Sequence, residues 1–368
     1  ETQTLSVRTY GDWSIVLPQD AAWLKVSAMS GREPAEIEVT AENYYRTDTS
    51  RTARLTVTGG NSGDFHVEVV QRKLQMNDLS AAGKANCYIV PTSGDFVIDA
   101  ATQGNSESEQ VGEWTSAELL WEDNRELITD LYGDPESKRI FFSTAAAGNA
   151  VIAVKDASGK ILWSWHIWAT DFDPNAKTLK YTNDNGSTWE FMDRNLGAAN
   201  AESGSFGAFG LLYQWGRKDP FTAATAFAPE NPSETIRWNM LNNPLPAMAS
   251  DADSMGTVQL SIEHPTSFYV TRYAHGDWNG QPDPNLWGAV SGQKTVYDPC
   301  PAGWRVPAYD AQGDSPYAFV TRQTTTGTDN IGRIYTDGNG NDFLFPVAGS
   351  RVNGTGTLDC PGNYGSLW

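Results

Sequence analysis

The chain has 368 residues, which is enough for two or three domains that each bury a core of their own. Hydrophobic residues make up 39% of it and aromatic residues 11%, a composition that excludes an intrinsically disordered chain. The formal charge of −19 at pH 7 argues against nucleic acid or anionic lipid as a direct partner, because both require basic surfaces.

Glycine and proline are abundant, at 34 and 19 residues, and together with many Thr, Val and Trp they favour a mainly β fold rich in loops. No apolar run approaches the roughly 20 residues that a membrane-spanning helix needs. The sequence begins with a glutamate in a polar stretch. We therefore expect a mature form from which a targeting segment has been removed.

Residues 1–74 alternate apolar and polar side chains in five short segments, as strands with one buried face do. These segments are Trp13–Ile15, Leu24–Val26, Ile37–Val39, Ala53–Val57 and Val67–Val69. Polar turns separate them at about ten-residue spacing, which predicts a small antiparallel β-sandwich. The runs W-S-I, A-W-L-K-V-S, R-T-A-R-L-T-V and V-E-V-V-Q resemble a BACON domain, an immunoglobulin-like module of gut Bacteroidetes surface proteins. The resemblance implies carbohydrate binding, but no clear exposed aromatic trio is visible, so we interpret the segment as a spacer.

Residues 75–173 read as a second immunoglobulin-like β-sandwich. The run K-A-N-C-Y-I-V-P-T-S-G-D-F-V-I-D-A at 84–100 predicts two strands around a tight turn. A later hairpin is expected with its turn at 156–159, followed by an alternating strand over 161–168. The N-C-Y-I-V opening resembles a middle module of large Bacteroides surface and fimbrillin-like proteins.

Residues 174–368 form the third predicted domain. A hairpin turn is expected at 182–187, and a short helix at 209–215. Five motifs follow one another: W-E-F-M-D-R-N-L-G-A (189–198), L-L-Y-Q-W-G-R-K-D-P-F (211–221), D-P-C-P-A-G-W-R-V-P (298–307), D-F-L-F-P-V-A-G-S-R (342–351) and G-N-Y-G-S-L-W (362–368). In that order they resemble the Fibrobacter succinogenes major paralogous domain of Bacteroidetes surface lipoproteins.

That resemblance implies an α+β C-type-lectin-like fold, related in design to formylglycine-generating enzymes. Two departures stand out. The T-x-x-E-W helix of the family does not follow Pro307, and the chain stops at Trp368, before the family's closing strands. The domain is therefore expected to lack its last strands.

A sugar site is predicted at 273–287, Y-A-H-G-D-W-N-G-Q-P-D-P-N-L-W, within a long polar loop region. Trp278 and Trp287 would stack on a pyranose face, and Asp277, Asn279 and Asp283 would bind hydroxyl groups. His275 is a further candidate lining residue. The alternative is that both tryptophans only anchor the loop, the core role that we assign to Trp215 and Trp304.

Calcium is a candidate ligand at Asp337, Asn339 and Asp342, since oxygen-bearing side chains alternate there. An Asn- and Gly-rich hairpin turn explains the same pattern equally well. The three cysteines show no zinc spacing, and their odd number allows at most one intrachain disulfide. Cys300 and Cys360 are the expected pair because they lie in one predicted domain.

The sequence as a whole predicts an exported, non-catalytic adhesin on the outer surface, held by a lipid anchor on its precursor. Its C-terminal domain would bind a glycan or a glycoprotein, and the protein could serve as a minor or tip subunit of a fimbria. One alternative is a structural subunit that polymerises by strand exchange. Another is an oxidative enzyme of the formylglycine-generating type, which would require a reactive Cys300–Cys360 pair. No cofactor other than calcium is expected.

Overall fold

The computed structural model describes residues 2–42, 44, 49–59, 63–73, 75–182, 186–225, 232–248, 250–251, 256–270, 276–308, 332–336, 342–362 and 364–365. The protein is mainly β, as predicted, with immunoglobulin-like sandwiches. The chain divides into two compact units, Glu1–Met76 and Asn77–Trp368. Among the described residues no helix is both long and apolar enough to cross a bilayer.

The first unit is a sandwich of two antiparallel sheets. Its strands are β1 Thr2–Val7, β2 Trp13–Val16, β3 Leu24–Val26, β4 Ser30–Gly31, β5 Ala35–Ala41, β6 Arg51–Gly59 and β7 Asp64–Gln71. One sheet has the order β1-β5-β3 and the other the order β4-β2-β6-β7. All five strands predicted from alternation are therefore confirmed.

Alternation also explains where the core of the first unit lies. On β6 the side chains of Ala53, Leu55 and Val57 are buried, while the intervening polar ones are not. They pack with Trp13 and Trp23 from the strand and loop segments before them. Burying one face of each sheet against the other supplies the hydrophobic stabilisation of this unit.

The second unit contains a sandwich of two four-stranded sheets. Its strands are β8 Asn77–Asp78, β9 Cys87–Val90, β10 Gly94–Asp99, β11 Ser116–Glu122, β12 Ile128–Asp134, β13 Arg139–Thr144, β14 Gly148–Lys155 and β15 Ile161–Ala169, with a 3₁₀ helix at Leu79–Ala82. The sheet orders are β12-β13-β10-β8 and β11-β14-β15-β9. The predicted hairpin between β14 and β15 is confirmed, and the Asp156 carboxylate accepts the N–H groups of Ser158 and Lys160 at its turn.

The strand β15 is buried on both faces. Trp163, Trp165 and Ile167 enter the sandwich core, while Ser164 and His166 lie on the opposite face. Ser164 donates to the carboxylate of Asp219 at 2.6 Å, so this second face is covered by the C-terminal part of the chain. A strand that is covered on both sides carries an almost continuous apolar sequence, as I-L-W-S-W-H-I-W does.

The rest of the second unit consists of short elements joined by long loops. They are β16 Thr178–Thr182, β17 Thr188–Met192, a 3₁₀ helix Phe206–Ala208, β18 Ser250–Asp251, α1 Val258–Glu263, β19 Phe268–Tyr269, β20 Gly332–Thr336, β21 Asp342–Pro346, β22 Ser350–Arg351 and β23 Leu358–Asp359. The strands β16 and β17 pair antiparallel, which confirms the hairpin predicted around 182–187.

The helix predicted at 209–215 does not form. Gly210 adopts φ +70°, and Leu212 instead exchanges backbone hydrogen bonds with Phe221. A Cβ at Gly210 would lie 2.6 Å from the carbonyl oxygen of Leu196. The two segments therefore approach each other closely at Gly210, and this backbone conformation excludes a helical turn. Sequence periodicity carries no information about such a contact.

Residues 77–173 and 174–368, which the sequence predicts in separate domains, lie in the same compact unit. The Asn86 side chain donates to the carbonyl oxygens of Val296 and Asp298, at 2.7 and 2.9 Å. Its own amide oxygen accepts the indole N–H of Trp163 at 3.0 Å. A buried asparagine thus joins the sandwich core to the proline-rich turn near residue 300.

Candidate functional site

A cleft of about 580 Å³ lies in the second unit, and we call it the aromatic cleft. Loops and strand residues from several parts of the chain, between positions 190 and 365, contribute to its wall. Among the lining residues are Asp193, Arg194, Phe209, Tyr213, Trp215, Asp277, Trp278, Trp287, Cys300, Trp304, Arg305, Phe343, Phe345 and Arg351. Its size is within the range of small-molecule sites, which runs from roughly 300 to 1,000 Å³.

Trp215 and Trp304 are the partly exposed indoles of this wall. Trp287 supports Trp215 from behind, with ring centroids 4.9 Å apart in an edge-to-face arrangement. Tyr213 packs edge-on against Trp287 as well, at 6.4 Å. Such stacking holds the ring of Trp215 in one orientation, so its exposed surface is fixed in place.

The two tryptophans predicted to stack on sugar are buried. Trp278 is 4% exposed and Trp287 is 1% exposed. The Trp278 indole N–H donates to the carbonyl oxygen of Trp215 at 2.7 Å, and that of Trp287 donates to the carbonyl oxygen of Arg217 at 3.1 Å. Satisfied N–H groups and close packing leave both indoles buried within the wall of the cleft, so neither offers an open face to a pyranose.

The polar residues of the predicted sugar site are only partly brought together. Asp277 lines the cleft, and its carboxylate accepts the N–H of Asn279 at 3.0 Å. Asn279 is buried and closes a local turn with Gln281, while the exposed Asp283 accepts the N–H of Asn285. His275 lies outside the described residues. Of the polar candidates, Asp277 is thus the one described residue that reaches the cleft.

The turn that carries Trp304 is held from within by Lys294. Its ammonium group donates to the carbonyl oxygens of Cys300 and Trp304, at 2.7 and 2.6 Å, and pairs with the Asp298 carboxylate at 3.1 Å. Asp298 is fully buried and accepts the N–H groups of Cys300 and Val306, both at 2.8 Å. Proline residues leave carbonyl groups without local partners, and Lys294 satisfies them.

Charged groups of both signs surround the aromatic wall. Arg194 pairs with Asp193 at 2.7 Å and lies over the ring of Phe172. Arg351 pairs with Glu234 at 2.8 Å, and Arg305 donates to the carbonyl oxygen of Val306 at 3.3 Å. The cleft therefore offers hydrogen-bond donors and acceptors beside an apolar surface.

Beneath the cleft, Arg217 ties its own loop to the segment that follows α1. It is 1% exposed, and its guanidinium donates to the side-chain oxygen of Gln214 and to the carbonyl oxygens of Ser267 and Pro265, at 2.8, 2.6 and 3.1 Å. Burial lowers the pKa of Arg217 to about 10, so the side chain is still charged at neutral pH. This buried arginine therefore binds carbonyl groups of the neighbouring segment.

None of the three cysteines forms a disulfide in the structure, contrary to the predicted Cys300–Cys360 pair. Cys300 is buried beside Trp287 and Val306, whereas Cys360 follows β23 and its thiol donates to the Asp359 carboxylate at 3.1 Å. The two residues thus lie in different environments, although the sequence places them in one domain. Burial raises the pKa of the Cys300 thiol well above its usual value, which disfavours the thiolate that a nucleophile requires.

Two of the three calcium candidates, Asp337 and Asn339, lie outside the described residues. The third, Asp342, is exposed at the start of β21. Within the part of the chain that the structure describes, no cluster of three or more His, Cys, Asp or Glu side chains could hold a metal ion.

Residues 13–72 match the family model "BACON: Putative binding domain, N-terminal". The matched range covers most of the first unit and supports an extracellular or surface location for the protein. No curated protein matches the chain.

Three solved structures show distant similarity. A Bacteroides ovatus GH5 xyloglucanase in complex with a XXXG heptasaccharide is 23% identical, with a TM-score of 0.19, and the match covers 25% of this chain and 23% of that one. The cadmium-bound structure of SporoSAG is 10% identical over 43% of this chain and 72% of that one, also with a TM-score of 0.19. The Bacteroides ovatus mixed-linkage glucan utilization locus SGBP-B, in complex with a mixed-linkage heptasaccharide, is 9% identical over 50% and 43%, with a TM-score of 0.14. These scores are too low to carry an argument about function.

Proposed function

We propose that this protein is a non-catalytic surface adhesin whose aromatic cleft binds a glycan. The observation that carries the proposal is the wall formed by two partly exposed tryptophans, Trp215 and Trp304. The Trp215 ring packs edge-on against the buried Trp287, and Lys294 holds the backbone of Trp304. The BACON match in the first unit supports a binding protein outside the cell.

The chemistry of the cleft suits a carbohydrate. Sugar rings present an apolar face of C–H groups, which packs on an indole, and a rim of hydroxyl groups, which both donate and accept hydrogen bonds. Asp277 supplies acceptors near the indoles, and Arg305 supplies donors. A cleft that mixes these groups around a fixed aromatic surface can recognise hydroxyl groups without needing a charged ligand.

Binding without turnover is part of this proposal. Burial raises the pKa of the Cys300 thiol, which disfavours the oxidative cysteine chemistry that the sequence offered as an alternative. We propose that bound glycan is released unchanged. Incubation with each bound glycan, followed by chromatography, should return intact ligand.

A glycan array followed by isothermal titration calorimetry tests the proposal directly. Trp304→Ala should weaken binding of the best ligand by about 30-fold, since removal of a central aromatic contact costs about 2 kcal/mol. Trp304→Phe, which keeps an aromatic face, should lose much less. Tyr10→Ala is the matched control, because Tyr10 is 87% exposed in the other unit.

The proposal would be overturned if Trp304→Ala and Trp215→Ala both bound normally while remaining folded by circular dichroism. Loss of binding in Tyr10→Ala alone would instead place the glycan site in the first unit, which we propose to be a spacer. A lipid anchor on the precursor and a role as a fimbrial subunit remain predictions from the sequence.

A further inference from the structure

A second cavity, of about 330 Å³, lies in the second unit, and we call it the Asp123 cavity. Small side chains form much of its wall, among them those of Ala147, Ala199, Ala223 and Ala224. Phe206 and Thr225 line it as well and are exposed, so the cavity is open to solvent. Its volume lies at the lower end of the range of small-molecule sites, roughly 300 to 1,000 Å³.

Asp123 is the only charged side chain among the described residues that line this cavity. Its carboxylate accepts the backbone N–H of Asn149 at 2.6 Å and the side-chain amide of the same residue at 2.8 Å. A carboxylate has about four acceptor positions, so these two bonds leave it able to accept from a ligand. In the part of the chain that the structure describes, no Lys, Arg or His side chain pairs with Asp123.

A carboxylate in this position is costly for the protein to maintain. Burial raises the pKa of Asp123 to about 6, and the group is still mainly ionised at neutral pH. An ionised group removed from water without a cation beside it is unfavourable, and such groups in cavities are typical of functional sites. Gly148 makes room for it, because a Cβ at that position would collide with the carboxylate.

Two threonine hydroxyl groups add further acceptors to the wall. Thr225 donates its hydrogen to the carbonyl oxygen of Ser233 at 3.3 Å, and Thr235 donates to that of Ala223 at 3.1 Å. Since each hydroxyl has one hydrogen, both can only accept from a ligand while these bonds are kept. A ligand that satisfies this wall must therefore be a hydrogen-bond donor, and a positive charge would also neutralise Asp123.

We propose that the Asp123 cavity binds a primary ammonium group, with the short carbon chain that carries it packed against the alanine side chains. A primary ammonium has three N–H donors, which matches the carboxylate and the two threonine hydroxyls in number. A metal ion would need several charged or oxygen ligands. Among the described residues, no group of three or more His, Cys, Asp or Glu side chains could supply them.

Isothermal titration calorimetry of the full chain with n-butylammonium chloride, at about pH 7.5, tests the proposal. We expect a Kd of about 1 mM, and at least about 10-fold weaker binding of 1-butanol, which has the same carbon chain without the charge. Asp123→Asn should weaken amine binding by at least about 10-fold. Asp130→Asn removes an exposed carboxylate on β12 and is the matched control, which should bind as the unchanged chain does.

Ala199→Leu provides a second variant that leaves Asp123 and its hydrogen bonds unaltered. Ala199 lines the cavity at an exposed position, so a larger side chain narrows the cavity and should weaken amine binding by at least about 5-fold. This variant decides the question if Asp123→Asn does not fold. Equal affinity for the amine and the alcohol would overturn the proposal, as would unchanged amine binding in either folded variant.

The same ammonium chemistry occurs on a lysine side chain and on an amino sugar, and two further ligands separate these sources. N-acetyl-lysine amide represents the lysine side chain, and methyl glucosaminide represents the amino sugar. Tighter binding of one than of the other identifies the source and supports the proposal. If neither of them nor n-butylammonium binds, the cavity is not an ammonium site.

Discussion

The side-chain amide of Asn86 donates to the carbonyl oxygen of Asp298 at 2.9 Å, across 212 positions of the chain. The same side chain accepts the indole N–H of Trp163 from the sandwich core. Asn86 therefore couples the packing of the sandwich to the turn that presents Trp304 in the aromatic cleft. Substitutions that disturb the packing of the sandwich should therefore also disturb the cleft through this contact.

Asn86→Ala should destabilise the second unit by about 2 to 4 kcal/mol. The substitution leaves the buried carbonyl oxygens of Val296 and Asp298 and the Trp163 indole without partners, and each such group costs about 1 to 3 kcal/mol. Urea unfolding followed by tryptophan fluorescence measures the change. Gln103→Ala, which removes an exposed hydrogen bond to Gln110, is the control and should cost under about 0.5 kcal/mol.

Lys294→Met should destabilise the protein by about 3 kcal/mol or more and weaken glycan binding. It leaves the fully buried Asp298 carboxylate without its cation, and it removes the donor to the carbonyl oxygens of Cys300 and Trp304. Lys160→Met removes a more exposed ion pair with Glu263 and should cost under about 1 kcal/mol. Equal losses in the two variants would contradict a structural role for Lys294.

Stability should depend on pH through His166. Burial lowers the pKa of this histidine from 6.5 to about 3, so the unfolded chain takes up a proton at a pH where the folded protein does not. The free energy of unfolding is therefore highest, as far as His166 is concerned, above about pH 6.5, and it decreases as the pH falls toward 3. Between pH 6.5 and 4.5 the loss amounts to about 2 to 3 kcal/mol.

Asp123 has the opposite effect on the pH dependence of stability. Burial raises its pKa from 3.8 to about 6, so its contribution is present below about pH 4 and is lost as the pH rises through 6. Urea unfolding at several pH values should therefore show a shallower acid loss for His166→Gln and a steeper one for Asp123→Asn.

Trp278→Phe separates the structural role of Trp278 from the sugar-stacking role predicted from sequence. It keeps a buried ring but removes the N–H that donates to the Trp215 carbonyl oxygen, so we expect a stability loss of about 1 to 2 kcal/mol. Affinity for glycan should change less than in Trp304→Ala. A larger loss of affinity in Trp278→Phe, at unchanged stability, would show that Trp278 contacts the ligand directly.

Local patterns in the sequence predicted much of the β structure. The strands of the first unit follow from alternation, since a residue on a strand with one buried face is apolar at every second position. The hairpin between β14 and β15 follows from Asp156 and the glycine at its turn. Strand alternation and turn residues are each recognised within about ten consecutive residues of the chain.

The cleft could not be predicted in the same way. A tryptophan in a loop is equally compatible with an exposed platform and with a buried anchor, and the choice depends on contacts with distant segments. For Trp278 that contact is the carbonyl oxygen of Trp215, 63 positions away. The helix expected at 209–215 was wrong for a related reason, the close approach of Leu196 to Gly210.

The sequence by itself determined that this is a mainly β, acidic protein with a BACON-like first unit, because composition, net charge and strand alternation are properties of the chain alone. Only the tertiary structure decided that residues 77–368 form one unit, and that Trp215 and Trp304 stay partly exposed in the cleft while Trp278 and Trp287 are buried. Each of these depends on hydrogen bonds and packing between residues far apart in the chain, and no local pattern records them.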